Sequence, residues 1–159
     1  WLKSHAVDPK LPFLRRGSGG MAAAVTGAFY DAGFRAGTVI ARNEVAGTAL
    51  ARRYGYAWVP EPGDLTAPVI VNVTPIGMSG GAESEQLAYP QPTIEAASMI
   101  FDVVAMPVET PLIRAARTAG REVITGGEVI ALQAAEQFRL YTGVTLSPDD
   151  IAQAEAQAN

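Results

Sequence analysis

The residues that could do chemistry in this chain gather in four short stretches. "RRGSGGMAAAV", residues 15–25, puts Gly17, Gly19 and Ala22 in a G-x-G-x-x-A pattern. A glycine permits a tight turn, a second lets a diphosphate approach the backbone, and a small third residue keeps the following helix against a sheet. The unpaired N–H groups and the dipole at that helix start favour an anion. A tight loop that binds nothing has the same composition. "VIARNEV", residues 39–45, puts Ala41 and Arg42 where a carboxylate accepting ribose hydroxyls is expected. A carboxylate there would repel a 2′-phosphate, whereas a guanidinium can bind one through paired hydrogen bonds and stack on adenine. NADP is thus expected over NAD, although Glu44 could still serve a ribose and Arg42 could simply be solvated. "VNVTPIGMSGG", residues 71–81, supplies Asn72 and Thr74 at a strand end, with Asn72 offering a donor and an acceptor to a ribose or an amide. "FDVV" holds Asp102, read as an anchor for the next loop rather than as an acid–base group.

Composition narrows the chemistry. The chain has 159 residues, 48% hydrophobic and 18% charged, enough for one domain with a core. Its formal charge is −4 with no basic cluster, which argues against nucleic-acid binding but not against one locally held anion. With no cysteine and one histidine, His5, thiolate metal sites are excluded and zinc or serine–histidine chemistry is unpromising. No metal site is expected. No apolar run reaches membrane-spanning length and no signal peptide is visible, so the cytoplasm is the default expectation and no membrane partner is foreseen.

These residues need elements to hold them. Strands are predicted at 11–14, 37–41, 56–59, 68–73, 99–104 and 122–125. Helices are predicted at about 20–32, 44–55, 110–120 and 127–143, with a last one starting at Ser147. Thr110 caps one helix and Pro111 opens it. Short apolar strands alternating with helices predict an α/β fold: a doubly wound parallel sheet of about six strands, helices on both faces and a C-terminal helix. Phosphate ligands of such folds sit at the carboxyl ends of the strands.

In order and spacing, "GSGGMAAAV", "ARN", "VNVTPIGM", "FDVVAMPVETPLI" and "LQAAEQF" resemble the cofactor-binding Rossmann domain of shikimate dehydrogenases, and more closely the shikimate dehydrogenase-like branch. The resemblance runs from about Leu11 to the final helix. It implies that residues 11–159 are an NADP-binding domain and that 1–10 are the remnant of an interdomain helix. It further implies that the smaller N-terminal domain, which carries the family's catalytic lysine and aspartate, is absent from this chain. By resemblance, Gly17, Ser18, Gly19, Gly20 and Met21 form the diphosphate turn, and Arg42 and Asn43 match the 2′-phosphate segment. Asn72, Thr74 and Met78 match the loop beside the nicotinamide ribose, Val103 lies near the nicotinamide, Gly126 meets the cofactor, and Gln133, read as buried, reaches the substrate. The complete enzyme would interconvert 3-dehydroshikimate, or a related cyclic keto acid, and its alcohol, within aromatic amino acid biosynthesis.

Several positions depart from the usual family pattern. Ala41–Arg42–Asn43 stands for N-R-T, Ala46 for a second basic residue, Ala105 for a substrate-contacting tyrosine, and Thr125–Gly126–Gly127–Glu128 for D-G-x-G. The alternatives are a non-catalytic NADP-binding module, a quinate dehydrogenase, or a methyltransferase using S-adenosylmethionine, in which Arg42 has no clear role. A shikimate-like small molecule, the missing domain and a second copy of the chain are the expected partners.

Overall fold

The computed structural model describes residues 7–147 and residue 150. Six strands form one sheet: β1 (Phe13–Arg16), β2 (Gly37–Ile40), β3 (Ala57–Val59), β4 (Val69–Asn72), β5 (Met99–Asp102) and β6 (Glu122–Ile124). They lie in the order β3-β2-β1-β4-β5-β6, and every pairing is parallel. The helices are α1 (Gly20–Asp31), α2 (Glu44–Tyr54), α3 (Gln91–Ala96), α4 (Pro111–Thr118) and α5 (Gly126–Thr142).

Strand alternation divides the core in two. Phe13, Val39, Val71 and Phe101 face Ala22, Val25 and Phe29 of α1, Leu50 and Ala51 of α2, and Val129 of α5. Leu14, Ile40, Ile70 and Ile100 face Ile94 of α3 and Leu112 and Ala116 of α4. Both faces of each strand are therefore covered, which is why the strands read as continuous apolar runs. The doubly wound expectation is met: strands are added outward from β1 to β3 on one side and from β4 to β6 on the other, so the strand order switches between β1 and β4. No helix among the described residues is long and apolar enough to cross a membrane.

Some bounds differ from those predicted. β1 begins and ends two residues later than 11–14, so Arg15 and Arg16 are strand residues, not loop residues. Their backbones pair with Val39 and Ile40 on one side and Val71 and Asn72 on the other. α3 was not expected; Pro90 precedes it and Pro92 lies in its first turn. Residues 7–10 do not continue a helix: Asp8 closes a turn by accepting from the backbone N–H groups of Lys10 and Leu11. The rest of the predicted N-terminal segment lies outside the described residues. Ser147 does accept from the Asp150 N–H, as an N-cap should, but the body of the last predicted helix also lies outside them.

Candidate cofactor site

The carboxyl ends of β1, β2 and β4 meet at the switch in strand order, where open α/β sheets bind ligands. Gly17 makes the first turn possible. Its φ is +129°, and a Cβ there would sit 2.6 Å from the Val73 carbonyl oxygen. Only glycine fits that approach. The chain then passes through half-buried Ser18 and exposed Gly19, Gly20 and Met21 into α1. Gly19 is the N-cap and no side chain caps the helix, so its first N–H groups are left for another acceptor. A Cβ on Gly19 or Gly20 would meet nothing within 4 Å. This corner is an open cradle of backbone donors, and Ala22, completely buried, holds α1 against the sheet.

Beside it lies a cleft of about 310 Å³ lined by Arg16, Gly17, Ser18, Ile40, Ala41, Arg42, Asn43, Thr74, Pro75, Ile76 and Glu83. Arg42 stands at its rim, where a 2′-phosphate contact was expected, but it already has partners. Its Nε donates to Glu61 at 3.0 Å and its Nη2 to Glu83 at 2.8 Å. Donating to Glu83 first, and then to Glu61, raises the Arg42 pKa, and the same contact with Arg42 lowers that of Glu83. Glu61 also accepts from Arg16 Nη2 at 2.6 Å, and Arg16 Nη1 donates to the Ala88 carbonyl. The Asn43 side chain accepts from the Ala46 N–H and so caps α2. Glu44 is an exposed residue of the first turn of that helix.

Arg15 lies on the other face of β1, entirely buried. Its Nη1 donates to the Gly17 carbonyl at 2.7 Å, while Nε and Nη2 have no hydrogen-bond partner among the described residues. Burial lowers its pKa to about 10, so it stays charged at neutral pH beneath the glycine turn.

The strand ends of β4 and β5 are tied by one polar network. Asn72, fully buried, donates from Nδ2 to Asp102 Oδ1 at 3.0 Å and to the Ile76 carbonyl at 3.3 Å. Its Oδ1 accepts from the Thr74 N–H and hydroxyl. The whole carboxamide is thereby consumed. Asn72 therefore shapes the 73–78 loop from within and has no donor or acceptor left for a ribose, a correction forced by its burial. Thr74 in turn accepts from the Ile76 N–H. Asp102, equally buried, also accepts from the Val104 N–H and the Thr110 hydroxyl. Burial pushes its carboxyl up to about 6 against the pull of these hydrogen bonds. Asp102 is the loop anchor expected of it. Met78 is exposed beyond this loop, and the Ser79 N–H donates to the Met106 carbonyl, linking the 73–81 and 103–110 loops.

Val103 is half-buried directly after β5. Gly126 is buried at the start of α5, packed so closely on the Val104 carbonyl that a side chain would collide with it. Gln133 was expected to be buried; it is exposed. The reason lies in α5, whose buried residues are Gly126 and Val129 in its first turn. The sequence reading missed Arg15, Arg16, Glu61 and Glu83. The first two looked like a loop, and the two glutamates lie 19 and 41 residues beyond Arg42.

Comparison with known proteins gives this geometry a context. No protein-family profile matches the chain. A shikimate dehydrogenase-like protein of Haemophilus influenzae is 51% identical over 157 residues, which is 99% of this chain and 58% of that protein. A solved shikimate 5-dehydrogenase-like structure superposes with a TM-score of 0.94 at 46% identity, covering 98% of this chain and 58% of that one. The Thermus thermophilus shikimate 5-dehydrogenase, solved with NADP(H) and shikimate, superposes at 0.84 with 31% identity, covering 99% and 59%. The chain thus spans somewhat under three-fifths of the length of these relatives. What it resembles over nearly all of its own length is the shikimate dehydrogenase family, on the shikimate dehydrogenase-like branch.

Proposed function

We propose that this chain is the NADP(H)-binding domain of a shikimate dehydrogenase-like oxidoreductase. The observation that carries the reading is the uncapped start of α1, with open space at Gly19 and Gly20, beside a cleft that has Arg42 at its rim. The cradle fits the diphosphate of a dinucleotide: it offers backbone donors, no side chain fills it, and buried Arg15 adds positive charge beneath it. Two shikimate dehydrogenase relatives support the choice of cofactor: the Acidiphilium cryptum enzyme is named for NADP(+), and the Thermus structure holds NADP(H).

The cofactor supplies the hydride. This chain's residues bind and orient. The N–H groups from Ser18 to Met21 hold the diphosphate, and Arg42 takes the 2′-phosphate. The Asn72–Thr74–Asp102 network fixes the loops that carry Met78 and Val103 at the nicotinamide end. Gly126 brings the α5 start against the 103–105 backbone. Gln133 remains the residue assigned to the substrate, a shikimate-like cyclic hydroxy acid. The family's lysine and aspartate come from outside this stretch, so the chain alone binds cofactor without turnover. Arg42→Asp tests the cofactor assignment: NADPH affinity should fall by at least tenfold more than NADH affinity. Equal losses would remove Arg42 from the phosphate site.

A further inference from the structure

We propose that Glu83 sets cofactor selectivity, because its carboxylate takes the Nη2 donor of Arg42, which both bidentate edges of the guanidinium share. The inference rests on the function proposed above. An arginine binds an oxyanion best through two parallel N–H donors. The Nε/Nη2 edge of Arg42 is one such pair, and here it is divided between Glu61 at 3.0 Å and Glu83 at 2.8 Å. A phosphate that takes the Nη2 donor must displace Glu83, and one that takes both donors of that edge must displace both carboxylates.

The two glutamates are not equally replaceable. Glu61 is also held at 2.6 Å by Arg16, whose side chain is only 10% exposed and is further fixed to the Ala88 carbonyl. That cation keeps Glu61 in place. Glu83 sits on the loop that follows β4, tied by its backbone carbonyl to the Gly77 N–H; among the described residues its carboxylate hydrogen-bonds Arg42, and Arg16 acts on it only through longer-range attraction. Glu83 is the group that yields.

Charge leads to the same conclusion. Arg16 and Arg42 contribute two positive charges to this edge of the cleft, and Glu61 and Glu83 contribute two negative ones. The edge is neutral before any ligand arrives. A 2′-phosphate gains Arg42 but approaches two carboxylates. A 2′-hydroxyl, as in NAD, carries no charge to be repelled and can donate to a glutamate. Glu83 thereby narrows the margin by which Arg42 favours NADP.

The test is a set of titrations of the purified chain with NADPH, NADH, 2′,5′-ADP and 5′-AMP, followed by calorimetry. Glu83→Gln keeps the shape and removes the charge. It should raise affinity for NADPH and 2′,5′-ADP by about two- to fivefold, as removal of one exposed competing ion pair allows. Affinity for NADH and 5′-AMP should not rise. In an Arg42→Gln background the gain for NADPH and 2′,5′-ADP should shrink, because only the repulsion between the Glu83 carboxylate and the phosphate is then relieved. Salt should weaken the gain, since the pair is exposed. If NADPH binds the unmodified chain but Glu83→Gln leaves the NADPH-to-NADH ratio unchanged, the role of Glu83 is refuted while the domain assignment stands. An equal gain in the Arg42→Gln background refutes it too. If none of the four ligands binds, both readings fall.

Discussion

Single residues in this site divide into those that hold the backbone and those that leave room for something else. Gly17 belongs to the first kind. Its positive φ and its closeness to Val73 mean that Gly17→Ala should destabilise the fold by about 1–3 kcal/mol, read from denaturant unfolding; an unchanged midpoint would show that the turn tolerates a side chain. Asp102 stores a pH dependence. Burial raises its pKa from 3.8 to about 6, so the folded chain takes up this proton before the unfolded chain does. Its contribution therefore improves as pH falls through 6 and is complete only below the unfolded value of 3.8, on the order of 3 kcal/mol in all. Unfolding curves of the wild type and Asp102→Asn should thus separate in favour of the wild type between pH 7 and pH 4.5. A constant difference would mean that Asp102 is not titrating in that range.

At the scale of elements, caps and strand ends decide where the loops go. Thr110 accepts from the Ile113 N–H to start α4 and donates to Asp102, so one hydroxyl fastens a helix to the end of β5. Thr110→Val keeps the volume and loses both bonds. It should cost about 1–2 kcal/mol, whereas Thr110→Ser should cost less than half as much; equal costs would point to packing rather than to the cap. Thr110 and Pro111 were legible in the sequence because capping is local chemistry. The six strands and four of the five helices were legible for a similar reason, through apolar runs and glycine stops. α3 was not, because six residues beginning among prolines give no helical period. β1 was misplaced because the apolar run ends before Arg15 and Arg16, and only the sheet shows them paired on both sides and buried. The ion-pair chain from Arg16 through Glu61 to Arg42 and Glu83 was invisible because it joins four loops and strand ends that only the fold brings together. The saturation of Asn72 was hidden likewise: its residue type suits a ligand contact, and its burial decides otherwise.

Among the described residues, the whole molecule combines a covered core with an apolar surface on its last long helix. Both faces of the sheet are covered, yet α5 leaves Ile130, Phe138, Leu140 and Tyr141 exposed, along with Gln133. The chain spans 58% of the length of the shikimate dehydrogenase-like relatives it matches. The function proposed for the chain is dinucleotide binding, and a ligand that binds the folded state raises its unfolding temperature. Gly19→Asp separates binding from folding. Gly19 has an ordinary extended backbone, and a side chain there meets nothing, while aspartate is a favoured N-cap whose carboxylate would take the free N–H groups and repel a diphosphate. Thermal unfolding with and without NADPH is the decisive measurement. The wild type should gain several degrees with saturating NADPH, and Gly19→Asp should unfold no earlier than the wild type without ligand and gain nothing with it. An equal gain in both proteins would mean that the dinucleotide does not sit at the start of α1.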